Sequence, residues 1–282
     1  MRATLLTCVI LLRVVAERPC APHFIDRWRP ANDDATLTVY VPIDKSGSTT
    51  VRGALLRSRA WGLCLLGRPG TRAQGDPVCR GDAIAIGSYG DCRAVAPRKC
   101  QYFTVLRDPV ARRVSEYDWF CRACKEGNKY CGRLVKACPP PGDRATERPT
   151  LEAWAQRSPN AYTQIFSRRE ACGDPYMALV GQVLAGPKPL DADAYARAAA
   201  ALAAPDMLVL TTEDLDNGWG RLDTYLGRQP GEGIAKPTAR ANVYSGDRYR
   251  APPEERERVA ALEHYDVALY DDLIARSRAE TT

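Results

Sequence analysis

Four short apolar runs alternate with polar or glycine- and proline-rich sequence along the chain. The runs cover residues 37–41, 83–86, 102–106 and 207–210. Continuous apolar runs of this length, rich in β-branched and aromatic residues, are typical of buried strands. Because helix-compatible or loop-rich sequence separates each run from the next, the pattern predicts a mainly parallel sheet covered by helices on both faces. The predicted fold class is therefore α/β, in three layers.

Several segments have the composition or periodicity of helices. One follows Thr49, and the others cover residues 110–121, 191–204 and 253–277. The last is the clearest, because apolar residues recur at helical spacing from Val259 opposite a highly charged face. The proline-rich stretch 138–149 interrupts this pattern and is interpreted as a loop or insertion within one domain.

The N-terminus combines a basic start with a short apolar run at residues 3–12. This run is shorter than the ~20 residues that a membrane-spanning helix needs. Small residues at Val14 and Ala16 favour cleavage before Glu17, so residues 1–16 are predicted to be a signal peptide. A short membrane anchor and a first buried strand are the alternatives. Residues 17–282 are predicted to form a single domain.

The chain contains 11 cysteines, which is many for a cytosolic enzyme. Removal of the segment that holds Cys8 leaves an even number, which suits disulfide pairing in an oxidising compartment. The densest cluster, at Cys121, Cys124, Cys131 and Cys138, would alternatively bind zinc. Its second spacing of six residues and the lack of a nearby histidine favour disulfides.

The net charge is modestly positive. It is +6 for the whole chain, and loss of Arg2 and Arg13 with the signal peptide would lower it by two. This charge suits an anionic ligand. Lysines and arginines are scattered among acids and no nucleic-acid motif is present, so nucleic acid is not an expected partner.

Residues 36–50 have the organisation of a phosphate-binding loop. An apolar strand enters the turn Lys45-Ser-Gly-Ser-Thr-Thr50, and a helix-like segment follows. Small residues let successive backbone amides converge on one oxyanion, and the helix N-terminus adds partial positive charge. Since the lysine precedes the glycine-containing turn, the order differs from that of nucleotide triphosphatase loops.

A second strand-to-helix junction lies at residues 102–117. Arg107 ends the strand, Pro109 fits the first turn of a helix, and Ser115 follows two turns later. The planar guanidinium of an arginine donates two hydrogen bonds to a phosphate at once. The segment therefore predicts a second anion contact, made by Arg107 and Ser115 together.

The two segments together resemble the PAPS-dependent sulfotransferases, specifically the Golgi carbohydrate branch that includes the heparan sulfate 2-O- and 6-O-sulfotransferases. Weaker likeness extends the resemblance over most of residues 36–275. It implies a P-loop-like fold, PAPS (3′-phosphoadenosine 5′-phosphosulfate) as co-substrate, and no metal. It also implies that Arg107 and Ser115 bind the 3′-phosphate. The residues that it places around the 5′-phosphosulfate are Lys45, Ser46, Gly47, Ser48, Thr49 and Thr50.

The resemblance assigns Lys45 a catalytic role, stabilising the charge that develops on the leaving oxygen. Related enzymes place a catalytic histidine after the second strand, but here Ser88 occupies that position. Asp91 is the nearest carboxylate and would be the base if burial raised its pKa. The histidines, His23 and His264, lie elsewhere and are interpreted as surface or packing residues.

Two further acidic residues bear on this site. Glu116, in the predicted helix after Arg107, is a second candidate for the base, although a solvent-exposed or salt-bridged glutamate is the competing interpretation. Asp44 stands directly before Lys45, where the family has proline. Its negative charge would oppose an anionic donor unless an arginine partnered it.

The expected activity is transfer of a sulfuryl group from PAPS to a carbohydrate hydroxyl, with an anionic polysaccharide or glycan as acceptor. The expected location is the secretory pathway, in the Golgi lumen or outside the cell. The alternatives are a protein-tyrosine sulfotransferase, which would share the donor motifs, and a non-catalytic sulfotransferase-like protein, which the missing histidine would explain. A kinase is disfavoured because magnesium ligands are not identifiable in the sequence.

Overall fold

The computed structural model describes residues 34–58, 64–66, 82–87, 89, 99–122, 149–167, 190–229, 234 and 248–279. Its strands are β1 (Thr36–Val41), β2 (Cys64–Leu66), β3 (Ala83–Ile86), β4 (Lys99–Leu106) and β5 (Met207–Thr211). Its helices are α1 (Ser48–Ser58), α2 (Pro109–Tyr117), α3 (Leu151–Ala155), α4 (Ala161–Phe166), α5 (Ala194–Leu202), α6 (Leu215–Tyr225), α7 (Pro253–Leu262) and α8 (His264–Ala279). A π-helical turn, Asp118–Arg122, follows α2 directly.

The strands form one five-stranded sheet in the order β2-β3-β1-β4-β5, and every pairing is parallel. The chain builds β2 and β3 on one side of β1 and then crosses to build β4 and β5 on the other. The strand order therefore reverses around β1 and β4. In open parallel sheets, such a switch point opens a crevice at the carboxyl ends of the strands, and ligands bind there.

The two faces of the sheet bury separate hydrophobic cores. Alternate strand residues point to opposite faces, so Val39 and Val41 contribute to one core while Tyr40 contributes to the other. Helices α4, α5 and α8 cover the first core, and α1 and α6 cover the second. The sheet with a helical layer on each face confirms the predicted α/β fold and its parallel sheet.

A third core joins α2, the π-helical turn, α3 and α7, and it adjoins a cluster of buried charges. Arg112 and Arg113 of α2 are fully buried, and so are Glu116 and Glu263. Glu116 pairs with Arg112 at 2.9 Å and with Arg113 at 3.0 Å, and Glu263 lies 2.6 Å from Arg113. Two cations and two anions thus compensate one another out of contact with water.

The predicted strands agree with the structure, and β2, α3, α4 and α6 were not predicted. The C-terminal helix is two helices rather than one, because α7 ends at Leu262 and α8 begins at His264. Glu263 lies at the break, where its carboxylate turns inward to the buried arginines. Among the described residues, the helices are too short or too polar to cross a membrane.

Several predictions fall outside the described residues: the signal peptide at 1–16, the loop at 138–149 except for its last residue, and the cysteines at 124, 131 and 138. Cys121 and Cys100 are described, and each belongs to a disulfide.

Candidate functional site

The phosphate loop connects β1 to α1 at the centre of the sheet. Two of its residues, Lys45 and Gly47, have positive φ angles of 62° and 74°. Only glycine adopts this conformation without strain, so Lys45 is a backbone outlier of the kind that clusters at binding sites. Alternation of left-handed residues with ordinary ones curls the backbone into a concavity. The strand, turn and helix expected at residues 36–50 are present, and the binding of an anion by this loop stays a prediction.

Helix α1 begins immediately after this curl. Its first intrahelical hydrogen bond runs from the Val51 N–H to the Gly47 carbonyl at 3.0 Å. The N-terminus of a helix carries a partial positive charge, which favours an anion at this end of α1. Within the loop, the Ser46 side chain is fully buried, those of Ser48 and Thr50 are half-buried, and that of Thr49 is exposed.

Arg107 lies beside the phosphate loop, because β4 is the neighbour of β1 in the sheet. Its Nη1 atom donates to the Lys45 carbonyl at 3.3 Å. Helix α2 begins directly afterwards, with Pro109 in its first turn and the Asp108 carboxylate accepting from the Ala111 N–H at 2.6 Å. The predicted strand, break and helix are all present, and they fix Arg107 at the carboxyl end of β4.

Ser115 lies two turns along α2. The helix buries Arg112, Arg113 and Glu116 on one side, and Ser115 is half-buried outside that side. It shares a helix face with Ala111, one turn closer to Arg107. Joint binding of one phosphate by Arg107 and Ser115 stays a prediction. Arg107 would approach the phosphate from the end of β4, and Ser115 would approach it from α2.

The Lys45 ammonium faces an aromatic ring. Its Nζ atom lies 4.3 Å from the ring centroid of Trp119, which the π-helical turn presents half-buried to the site. This is a cation–π contact. Burial lowers the pKa of Lys45, while Asp44 and Glu116 act in the opposite direction. Trp119 gave no signal in the sequence, because its position depends on a π-helical turn that periodicity does not predict.

Lys45 and Arg107 are both cationic and half-buried, yet neither makes an ion pair with another residue in the described part of the chain. Burial lowers the pKa of Arg107, and the exposed carboxylate of Glu213 raises it from nearby. Arg248 also acts on Arg107, as a like charge that lowers its pKa. Two cationic side chains without an ion-pair partner among the described residues, Lys45 and Arg107, therefore lie together at the curl of the loop.

Asp44 is the acidic residue of the loop. Its Oδ2 atom is buried and has no hydrogen-bond partner within the described residues. Burial raises the pKa of Asp44 to about 7, and Glu116 adds to the effect, while Lys45, Arg52 and Arg112 oppose it. Arginines therefore lie near Asp44, but they do not compensate it fully. Burial therefore favours the protonated carboxyl over the anion at this position.

Tyr162 of α4 connects the loop to the end of β4. Its hydroxyl donates to the Arg107 carbonyl at 2.7 Å and accepts from the Arg107 N–H at 3.2 Å. The same oxygen lies 3.3 Å from the Ser46 hydroxyl. Tyr162 was not predicted, because 55 residues or more separate it from both of its partners in the sequence.

The candidates for the base have different outcomes. Ser88 and Asp91 lie outside the described residues, so both stay predictions. Glu116 is buried and salt-bridged to Arg112 and Arg113 rather than exposed. It is therefore not accessible to an acceptor hydroxyl and does not suit the role of base. Its interpretation as a salt-bridged residue is confirmed. His264 lies at the start of α8, where its ring contacts the Tyr265 ring in a tilted arrangement with 4.0 Å between the centroids.

Among the described residues, there is no group of three or more His, Cys, Asp or Glu side chains arranged to hold a metal ion.

Comparisons with known proteins gave structural similarities alone. No protein-family model and no curated protein sequence matches the chain. A crystal structure of a sulfotransferase from Alicyclobacillus acidocaldarius is similar over 88% of this chain and 96% of its own, with 15% identity and a TM-score of 0.42. The mouse sulfotransferase SULT7A1 in complex with PAP is similar over 85% of this chain and 66% of its own, with 12% identity and a TM-score of 0.35.

Proposed function

We propose that this protein transfers a sulfuryl group from PAPS to a hydroxyl group of a carbohydrate. A single observation supports this most directly. Lys45 on the phosphate loop and Arg107 at the end of the neighbouring strand lie together without an ion-pair partner among the described residues, joined by the 3.3 Å bond from Arg107 Nη1 to the Lys45 carbonyl. Two such cations at a switch point suit a ligand with two separate anionic groups.

The donor fits this arrangement because it has a phosphosulfate at one end of its ribose and a phosphate at the other. The curled loop and the N-terminus of α1 would bind the phosphosulfate through backbone amides. Arg107 would bind the 3′-phosphate with its planar fork, together with Ser115. The like charge of Arg248 also acts on Arg107 and adds to the positive potential of this subsite.

Sulfuryl transfer is an in-line displacement in which the acceptor oxygen attacks sulfur and the nucleotide phosphate leaves. The chain's own contribution is to position both reactants and to neutralise charge. Lys45 would perform the second task, and the Trp119 ring restricts its ammonium without neutralising it. A side chain that removes the proton of the acceptor hydroxyl completes the reaction, and Asp91 remains the proposed base.

The proposed acceptor is an anionic polysaccharide or glycan in the secretory pathway, in the Golgi lumen. The support is the resemblance of the loop and of the Arg107 segment to carbohydrate sulfotransferases, the positive net charge of +6 and the 11 cysteines. The apolar N-terminal run supports entry into that pathway, either as a signal peptide or as a short anchor.

Binding of PAP, the product nucleotide, tests the donor part of this proposal. Wild-type protein should bind PAP at least tenfold more tightly than adenosine 5′-monophosphate, because only PAP has the 3′-phosphate. Arg107→Ala should lower PAP affinity to that of the monophosphate, whereas Lys45→Ala should weaken both nucleotides. The exposed Arg221→Ala on α6 serves as the matched control. Equal affinity of the wild type for the two nucleotides would contradict the proposal.

A further inference from the structure

Tyr162 touches both halves of the proposed donor site without lying on the loop or on the strand end. Its side chain is fully buried, and so is that of Ser46. The phenol oxygen has one hydrogen to donate and lone pairs to accept with. Here the short 2.7 Å contact to the Arg107 carbonyl takes the hydrogen, and the Arg107 N–H at 3.2 Å uses one lone pair.

This assignment fixes the direction of the third contact. Because the Tyr162 hydrogen goes to Arg107, the Ser46 hydroxyl must be the donor in its 3.3 Å contact with Tyr162. Its hydrogen is then unavailable to a phosphate oxygen. Ser46 would therefore contribute to donor binding by shaping the loop. It would not donate a hydrogen bond from its hydroxyl to the 5′-phosphosulfate.

Tyr162 is held in place from α8 on its backbone and from α2 on its ring. Both oxygens of the buried Asp266 carboxylate cap the start of α4, accepting from the N–H groups of Tyr162 and Thr163 at 2.8 Å each. The Arg112 guanidinium lies 5.2 Å from the centroid of the Tyr162 ring. Burial raises the pKa of Tyr162 to about 12, so its hydroxyl keeps its proton at physiological pH. The hydroxyl therefore has a defined position and a defined protonation state.

We propose that Tyr162 is a positioning residue that sets the separation between the phosphate loop and Arg107, and with it the spacing of the two anionic subsites of the donor. The Arg107 backbone is tied on both its N–H and its carbonyl side, so its guanidinium projects from a fixed point. Ser46 ties the loop to the same oxygen. The effect on donor binding rests on the proposed function. The positioning of Arg107 and the loop rests on the contacts of Tyr162 alone.

Tyr162→Phe removes the hydroxyl and leaves the ring, so the test keeps the packing of α4 intact. Calorimetry with PAP should show an affinity about tenfold lower than that of the wild type. Tyr225→Phe is the matched control, because its hydroxyl also donates to a backbone carbonyl, that of Asp206 at 2.6 Å, at the opposite end of the sheet. The control should change PAP affinity by less than about twofold.

A double-variant cycle examines the link to Ser46. If Ser46→Ala and Tyr162→Phe act on one shared contact, the double variant should bind PAP more tightly than the product of the two single effects predicts. Strictly multiplicative effects would contradict the link. Unchanged PAP affinity in Tyr162→Phe, with wild-type protein that binds PAP, would overturn the positioning role.

Hydrogen exchange separates this inference from the proposed function. In Tyr162→Phe the Arg107 amide loses its acceptor and should exchange at least tenfold faster, while the amides of β1 should exchange at the wild-type rate. This readout does not need a nucleotide. If wild-type protein failed to bind PAP, faster exchange at Arg107 would uphold the positioning role while the donor assignment failed. Unchanged exchange at Arg107 would overturn the positioning role in either case.

Discussion

At the scale of single residues, the site combines two cations without an ion-pair partner in the described part of the chain with one carboxyl whose charge depends on pH. Lys45 and Arg107 face the position proposed for the donor. Asp44 lies directly before Lys45, and its buried Oδ2 atom has no hydrogen-bond partner among the residues that the structure describes. A permanently charged Asp44 would repel the donor. Burial instead raises its pKa to about 7, so the residue changes its charge within the physiological range.

Donor affinity should therefore fall as the pH rises through about 7. Folding raises the pKa of Asp44 from 3.8 to about 7, so its contribution to stability is complete below 3.8 and is lost as the pH rises through 7. Binding of an anionic donor should weaken over the same pH range, because the donor is repelled by the charged carboxylate and not by the protonated carboxyl. PAP affinity should fall about 3- to 10-fold between pH 6 and 8 on account of Asp44.

Asp44→Asn provides the control for this pH dependence. The variant keeps the size of the side chain and loses the titration, so its PAP affinity should exceed that of the wild type at pH 8 and match it near pH 6. Other titrations, including that of the donor's own phosphate, are common to both proteins and cancel in the comparison. Parallel pH profiles for the two proteins would contradict the role given to Asp44.

At the scale of elements, the loop and the helices around it have separate tasks. The turn from β1 to α1 shapes the anion site, and the buried charges of α2, together with Glu263 between α7 and α8, hold the surrounding helices together. The shape of the anion site depends on backbone conformation. The packing of the helices depends on compensation of buried charges without water.

The conformation of the loop is tested by Gly47→Ala. Gly47 has φ of 74°, and an added Cβ would lie 3.4 Å from Thr212 Cγ2. Gly227 has φ of 71°, but an added Cβ there would have nothing within 4 Å. Either substitution should cost about 1–2 kcal/mol in the free energy of unfolding, because alanine is strained at positive φ. Only Gly47→Ala should also weaken PAP, by tenfold or more. An equal loss of PAP affinity in both variants would contradict a local role for the loop.

The buried charges are tested by Glu263→Ala. The variant leaves Arg113 without the carboxylate that lies 2.6 Å away, in a site with no exposure to water. Breaking such a pair from one side costs about 3–5 kcal/mol, measurable by denaturant unfolding. The control, Glu152→Ala, removes a partly exposed pair with Arg258 at 2.9 Å and should cost less than about 1 kcal/mol. Similar losses in both variants would contradict the compensation by Glu263.

At the scale of the whole molecule, the sheet and part of the site could be predicted from the sequence. The strands are short continuous apolar runs, and the phosphate loop and the Arg107 junction are local patterns in which a few neighbouring residues determine the backbone. Tyr162 and Trp119 could not be predicted. Tyr162 reaches its partners through tertiary contacts, and Trp119 reaches Lys45 because the helix after α2 widens into a π-helical turn. The break at Glu263 was not predicted either, because Glu263 pairs there with Arg113, which lies 150 residues away in the sequence.

Reduction of the protein should lower its melting temperature. Cys100 and Cys121 each belong to a disulfide, and loss of a native disulfide costs about 2–5 kcal/mol in many small secreted domains. Calorimetric melting with and without a reductant measures this directly. An identical melting temperature in both conditions would contradict the oxidising compartment proposed for the chain.

The most direct test of the central claim is transfer of labelled sulfate from PAPS to a panel of polysaccharides by purified residues 17–282. Wild-type protein should transfer sulfate, and Lys45→Ala, which removes a charge-stabilising donor, should lose ~100-fold or more in rate. Arg107→Ala should show a comparable loss at low PAPS concentration. Asp91→Asn should be inactive if Asp91 is the base. Transfer that persisted undiminished in Lys45→Ala, or the absence of both transfer and PAP binding in the wild type, would contradict the proposed function.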